Sequence, residues 1–145
     1  MDEPAQTYLP ATSIAWRGRA ALLLGPSGCG KSSTALTMIA LGADLIADDQ
    51  CEISREEDRL IVRCPEALIG KIEARNFGIL KCSSLEQAQL VCAVDLSKPE
   101  HNRLPERREM EICGITLRLF HNPGIEALPF ALLQYLKRTT IHDHT

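Results

Sequence analysis

The sequence predicts an α/β fold, a mixed β-sheet with packed helices that carries a phosphate-binding loop (P-loop). Three observations predict it. The stretch Gly25-Pro26-Ser27-Gly28-Cys29-Gly30-Lys31-Ser32 fits G-x-x-x-x-G-K-S without a mismatch. It stands between the wholly apolar run 20–24, which reads as a buried strand, and residues 32–41, which read as a helix that Gly42 can stop in the left-handed conformation. Further on, residues 90–96 form a second apolar run with the content of a buried central strand.

In chain order, residues 1–10 hold two prolines and little periodicity and are expected to form a loose arm. Thr12, Ser13, Ile14, Ala15 and Trp16 read as a strand, with a turn at Arg17-Gly18 leading into the strand before the loop. The helix after the loop keeps Ser33, Thr34 and Thr37 along one side and is apolar elsewhere, so it should be packed over most of its circumference. The next short apolar run ends in Asp48 and Asp49. Strand side chains alternate, so both carboxylates can serve one site only where the strand opens into a loop.

Residues 51–54 and 59–64 are strand-like runs joined by the charged turn Arg55-Glu56-Glu57-Asp58, and 65–70 read as a connection or short helical turn. Within 71–80, a strand would set Lys71, Glu73 and Arg75 on one face and Ile72 and Ala74 on the other. By spacing alone, Glu73 and Arg75 suit a surface ion pair as well as a metal ligand beside a phosphate contact. Residues 84–89 read as a helical or loop excursion, 98–108 as a polar surface loop, and 110–113 with 115–119 as a hairpin around Gly114. Leu128, Ala131, Leu132, Tyr135 and Leu136 recur at helical spacing within 125–138. The tail 139–145, with His142-Asp143-His144, is expected to fray.

The loop has a specific physical meaning. Gly25, Gly28 and Gly30 let backbone N–H groups close on phosphate oxygens, and the following helix turns its partly positive N-terminus toward the same anion. Lys31 adds a mobile full charge for the outer phosphates, and the Ser32 hydroxyl can ligate Mg²⁺. A nucleoside triphosphate is the expected ligand.

Composition narrows the remaining classes. A chain of 145 residues can bury a sizeable core and is expected to be one domain across 1–145. A net charge of −3 gives no electrostatic basis for binding nucleic acid or an anionic membrane. No apolar run approaches a membrane span, and Met1-Asp2-Glu3-Pro4 is acidic where a secretory leader would be basic, so a cytoplasmic protein is expected. Six cysteines form no C-x-x-C pair and lie far in sequence from the four histidines, which argues against a zinc site or a disulfide framework. They read as small buried residues in a reducing compartment, with Cys29 alone inside the loop.

Several phosphate-loop classes fail on their motifs. The chain has no LSGGQ-like stretch of a transporter ATPase, no arginine-rich lid of a nucleoside-monophosphate kinase, and no N-K-x-D base-reading motif of a GTPase. The loop is instead followed by Leu45-Ile46-Ala47-Asp48-Asp49 and then Ile72-Glu73-Ala74-Arg75-Asn76-Phe77-Gly78-Ile79. Together these resemble the catalytic domain of the bacterial HPr kinase/phosphorylase family, over roughly residues 10–125.

The resemblance implies an ATP- and Mg²⁺-dependent protein kinase acting on a serine of HPr, the small carrier of the sugar phosphotransferase system. It implies that the nucleotide is held by Gly25, Pro26, Ser27, Gly28, Cys29, Gly30, Lys31 and Ser32, with Lys31 on phosphate. Ser32 and Glu73, with Asp48, would hold Mg²⁺. Asp49 matches the carboxylate that takes the serine proton, and Asp48 its polar partner. Arg75 would contact phosphate, and Arg103, in Asn102-Arg103-Leu104-Pro105, resembles the family's arginine in a mobile loop. A homo-oligomer is implied as well, its number open. The chain departs from the pattern at Pro10, where the family has a histidine, at Asn76, where it has glycine, and at Asn122-Pro123-Gly124, where long forms have an R-P-G-R-like segment tied to the reverse reaction. The expectation is therefore a kinase rather than a phosphorylase. A nucleotide sensor that transfers nothing, and a kinase for another substrate, are the alternatives.

Overall fold

A computed structural model describes residues 5–138. The strands are β1 (Gln6–Leu9), β2 (Thr12–Trp16), β3 (Arg19–Leu24), β4 (Asp44–Ala47), β5 (Cys51–Glu56), β6 (Arg59–Arg63), β7 (Lys71–Ala74), β8 (Gly78–Lys81), β9 (Gln87–Pro99), β10 (Arg108–Ile112) and β11 (Ile115–Asn122). The helices are α1 (Lys31–Ala40) and α2 (Leu128–Lys137), with one 3₁₀ turn at Glu66–Leu68. Nine strands form one sheet in the order β1-β5-β6-β9-β3-β2-β4, with β11 also on β9 and β10 on β11; β7 and β8 form a separate hairpin. No helix among the described residues is long and apolar enough to cross a membrane.

Direction decides where function can sit. Strand β2 is antiparallel to both β3 and β4, so β3 and β4 run the same way; β9 is parallel to β3, and β11 is parallel to β9. The C-terminal ends of β3, β4, β9 and β11 therefore all open at one end of the sheet, where α/β folds place their ligands.

The central strand is longer than the apolar run that announces it. It extends from Gln87 to Pro99, so residues 87–89, expected as a helical or loop excursion, are strand paired with β6. Its register slips between the pairs Ala20↔Leu90 and Ala21↔Cys92. One inserted residue reverses the facing of every later side chain. Accordingly Ala88 and Leu90 join Leu22, Val62 and Leu117 in one apolar cluster, while Cys92, Val94 and Leu96 join the cluster under the helices. Polar residues at 87, 89, 95 and 97 punctuate the strand, and the bulge is what reconciles them with burial on both faces.

Both helices cover the same face. Ala35 and Met38 of α1 and Leu128, Leu132, Leu133 and Leu136 of α2 meet Ile14, Leu23 and Val94 there. The other face curls so that strands cover it, with Ile53, Leu60 and Val62 packed against Ile112 and Leu117. The Arg55 Nη1 group donates to the Cys113 carbonyl at 3.3 Å, which ties β5 to the β10–β11 turn across the curl. In α2 the buried set differs from the expected stripe. Leu133 is buried and Ala131 is exposed, because the helix faces the sheet along 128, 132, 133 and 136.

Local chemistry closes the elements. The Arg17-Gly18 turn has φ of 48° and 84°, and Cys113-Gly114 has 51° and 79°; paired left-handed residues give the hairpin twist that matches adjoining strands. Helix α1 ends as expected at Gly42, with φ of 109°. The Gly42 N–H donates to the Ile39 carbonyl and the Ala43 N–H to the Met38 carbonyl, both at 3.0 Å. This paired capping satisfies carbonyls that the helix leaves without partners. The expected loose arm is corrected in part. Gln6–Leu9 form β1, because Gln6 to Leu9 pair in register with Ser54 to Cys51. The tail 139–145, including His142, Asp143 and His144, lies outside the described residues.

Candidate active site

The segment joining β3 to α1 is short of side chains where it must turn sharply. Gly30 has φ of 105°, which strains any other residue, and a Cβ placed on it would lie 2.1 Å from Ile125 Cδ1 and push that side chain aside. Gly30 is also the N-cap of α1 and supplies no side-chain cap, which leaves the first N–H groups of the helix directed at the loop. Ser27, Gly28, Gly30, Lys31, Ser32 and Ser33 line a cleft of about 330 Å³. Its other walls come from Asp48 and Asp49 after β4, and from Glu73 and Arg75 of the β7–β8 hairpin.

The remaining loop residues form its back. The Cys29 N–H donates to the Pro26 carbonyl at 3.2 Å, and a Cβ on Gly25 would meet Cys29 Sγ at 2.7 Å. The Cys29 side chain thus turns toward Gly25 and does not line the cleft. Lys31 is buried, and its Nζ donates to the Gly25 carbonyl at 2.5 Å, so the ammonium is folded back over the loop it belongs to.

Asp48 is the hub. Its Oδ1 accepts from Ser32 Oγ at 2.8 Å and from Thr12 Oγ1 at 3.0 Å, and its Oδ2 accepts from the Glu73 backbone N–H at 3.1 Å. One carboxylate thereby ties the start of α1, strand β2 and the detached hairpin together. The hairpin's second anchor is Ile72, fully buried in the cluster under the helices; such burial contributes roughly 1.5–3 kcal/mol. The alternation expected for this strand holds, with Lys71 and Glu73 exposed and Ile72 buried.

Arg75 lies in the turn beyond β7, close enough that a Cβ on Gly28 would meet its Nη1 at 3.1 Å. Asn76 has φ of 63°. Asparagine tolerates the left-handed region better than most residues, so the turn forms here without a glycine.

Asp49 behaves unlike its neighbour. Its φ is 76°, its side chain is exposed, and among the described residues it has no hydrogen-bond partner. The left-handed residue breaks the strand alternation, so two consecutive carboxylates both reach the cleft. Asp49 also lines a second recess with Tyr8, Leu9, Pro10 and Gln50.

Among the described residues no group of three or more His, Cys, Asp and Glu gathers as a metal centre. The residues expected to hold a metal, Ser32, Asp48 and Glu73, line the cleft together with Asp49. All offer hard oxygens, and such a set fits a magnesium ion that keeps several waters better than a zinc or copper ion. Arg103 stands elsewhere. It is exposed in the β9–β10 connection and lines an apolar pocket with Phe120, Leu128 and Tyr135, so the structure does not bring it to the loop cleft. Sequence reasoning missed Thr12, fully buried at the start of β2, and Ser33. The signal that could have found Thr12 is the pair of hydroxyls, Thr12 and Ser13, buried in a strand beside the loop strand.

Comparison with known proteins adds a second line. The family model described as the HPr Serine kinase C-terminal domain matches residues 6–118. An HPr kinase/phosphorylase of Azoarcus sp. is 36% identical over 108 residues, covering 66% of this chain and 34% of that protein. Another, of Geobacillus thermodenitrificans, is 37% identical over 113 residues, covering 69% and 37%. One from Thermoanaerobacter sp. reaches 49% over 69 residues, covering 47% and 23%. The chain matches only about a third of the length of these relatives, or less. Among solved structures, the Hpr(Ser) kinase/phosphatase from Coxiella burnetii superimposes with a TM-score of 0.77 at 21% identity, covering 90% of this chain and 94% of that one, which shows a shared fold.

Proposed function

The chain belongs to the HPr serine kinase C-terminal domain family, and from that membership together with its cleft we propose that it is an ATP- and Mg²⁺-dependent kinase for a serine of HPr. The observation that carries the reading is the cleft itself, in which Asp48 holds Ser32 and the Glu73 backbone while Asp49 stays unengaged beside them.

In this reading the loop N–H groups and the N-terminus of α1 take the phosphates. Lys31 exchanges the neutral Gly25 carbonyl for a charged phosphate oxygen, a stronger acceptor for an ammonium. Ser32 already gives its proton to Asp48, which leaves its lone pairs for a cation, and Glu73 supplies a carboxylate in the same cleft. Mg²⁺ bound there would neutralise charge on the phosphoryl group being transferred. Arg75, beside Gly28, faces the same group from the hairpin. As the serine oxygen bonds to the γ-phosphorus, its proton passes to Asp49 and the bond to the bridging oxygen breaks, releasing ADP.

The test is incubation with labelled ATP, Mg²⁺ and HPr, followed by phosphoamino-acid analysis. Phosphoserine in HPr supports the reading. ATP binding with no labelled protein would replace it with a nucleotide sensor.

A further inference from the structure

The pocket beside Arg103, of about 260 Å³, shares no lining residue with the loop cleft. It lies between α2 and the β9–β10 connection, near the ends of β9 and β11. We propose that it binds a small organic carboxylate with an apolar body, the ring or branched chain against α2 and the carboxylate at Arg103. Such a ligand is neither nucleotide nor protein, and the site stands or falls apart from the kinase reading.

The walls decide the body of the ligand. Val94 and Phe120 from the sheet and Leu128, Leu132 and Tyr135 from α2 supply apolar surface. The Phe120 and Tyr135 rings meet edge to face with centroids 5.2 Å apart, so each steadies the other. Water in such a space makes few hydrogen bonds, and an apolar group that displaces it is favoured. The volume is near the lower end for organic ligands, which selects a small one.

The rim decides the charge. Arg103 lines the pocket from the exposed connection and has no hydrogen-bond or ion-pair partner among the described residues. Glu100, the acidic lining residue, is already compensated. Arg108 Nη1 donates to its Oε1 at 2.5 Å, and the Asn102 N–H to its Oε2 at 3.2 Å. The charge left over is that of Arg103, and a guanidinium fork matches a carboxylate in both charge and shape. His121 and the Asn102 amide line the same pocket and add donors for an anion.

Little must move for binding. The Glu100 N–H donates to the Asn122 carbonyl at 2.8 Å, and Asn122 Nδ2 donates to the Leu96 carbonyl at 3.2 Å. The Glu100–Arg108 ion pair draws the start of β10 to the end of β9. The connection that carries Arg103 is thus pinned at both ends, and the ordering cost of binding is small.

The experiment titrates hydrocinnamate into the full chain by calorimetry, follows backbone amide shifts by NMR, and measures ATP affinity on the same preparation. Hydrocinnamate should bind with a Kd at or below about 1 mM, as a ligand of its size allows. The shifts should gather at Arg103, His121 and Tyr135. Hydrocinnamide, the neutral isostere, should bind at least about tenfold more weakly, and Arg103→Gln should weaken hydrocinnamate to the same degree, because one charge-assisted pair is lost. Ala131→Leu adds bulk at an exposed helix position that lines the pocket. It should abolish hydrocinnamate binding and leave the ATP dissociation constant within about twofold of the parent's. The proposal is overturned by absence of saturable binding, by equal affinity for acid and amide, by unchanged binding in Ala131→Leu, or by shifts gathered at residues 27–32. None of these outcomes depends on whether HPr is labelled.

Discussion

Replacing Asp48 with asparagine tests the joint on which the cleft depends. The aspartate accepts three hydrogen bonds, two at Oδ1 and one at Oδ2. Asparagine has a single acceptor oxygen. With that oxygen at the Oδ1 position, the Thr12 and Ser32 bonds survive, but an NH₂ group is set against the Glu73 N–H. Turned over, the amide keeps Glu73, and both hydroxyls must rotate to accept from one NH₂. In the first orientation the Glu73 bond is lost outright, in the second both hydroxyls must give up their present donor role, and in neither do the bonds end on a charge. A hydrogen bond to a charged group contributes roughly 1.5–3 kcal/mol, so Asp48→Asn should destabilise the fold by about 2–3 kcal/mol. For a chain of this size that corresponds to a fall of about 4–12 °C in melting temperature.

Urea unfolding gives the global cost, provided the denaturant slope is unchanged. Amide exchange at Glu73 gives the local one, because that N–H loses its carboxylate while the β7–β8 ladder remains. Thr12→Val, alone and combined with Asp48→Asn, closes a double-mutant cycle; coupling of at least about 0.5 kcal/mol is expected for partners in direct contact. The reasoning is refuted if Asp48→Asn unfolds within about 0.5 kcal/mol of the parent, the scatter of ordinary surface substitutions, and the Glu73 amide exchanges no faster.

Asp49→Asn keeps shape and removes the proposed base, so it should lower the rate of transfer by roughly 10²–10⁴-fold while ATP binding persists or tightens slightly; parental turnover would end the general-base assignment. Glu73→Gln should raise the Mg²⁺ concentration needed for half-maximal activity with unchanged circular dichroism, and an unaltered Mg²⁺ titration would return Glu73 to a surface role. Burial, aided by nearby Cys64 and Asp48, pushes the Cys51 thiol from 9.0 up to about 12. The folded chain then keeps a proton that the unfolded chain releases, so stability should be intact below pH 9.0 and decline toward pH 12 by about 1.4 kcal/mol per pH unit; Cys51→Ala should flatten that alkaline limb.

What was legible in the sequence was what neighbouring residues decide. The loop, its strand and helix, the left-handed stop at Gly42 and the two tight turns at Gly18 and Gly114 all follow from local chemistry, and each stands where expected. What escaped depends on partners distant in the chain. Gln6–Leu9 carry no strand pattern of their own and are strand because β5 offers an edge. Residues 87–89 alternate polar and small, and only β6 and β3 on either side make them part of β9. The α2 face was misjudged at Ala131 and Leu133 because one-helix periodicity does not say how widely a sheet wraps the helix. Arg103 shows the same limit in a loop: its placement follows from where β9 and β11 end, and that takes it to Phe120 and Tyr135.

The two aspartates show how tertiary contacts separate residues that the sequence presents as a pair. Adjacent in a strand, they would point to opposite faces and could not share a cleft. Asp48 completes β4's approach and is immobilised by donors from β2, α1 and β7. Asp49 takes a positive φ, which aspartate accepts at modest strain, and turns its carboxylate to the open side. A group held by three donors is well placed to position a hydroxyl and a hairpin. A group with none keeps its carboxylate open to an incoming molecule. The division of labour proposed for them therefore rests on one backbone angle. Asp49→Gly, which takes that angle freely but removes the carboxylate, should fold as the parent does and lose transfer as Asp49→Asn does.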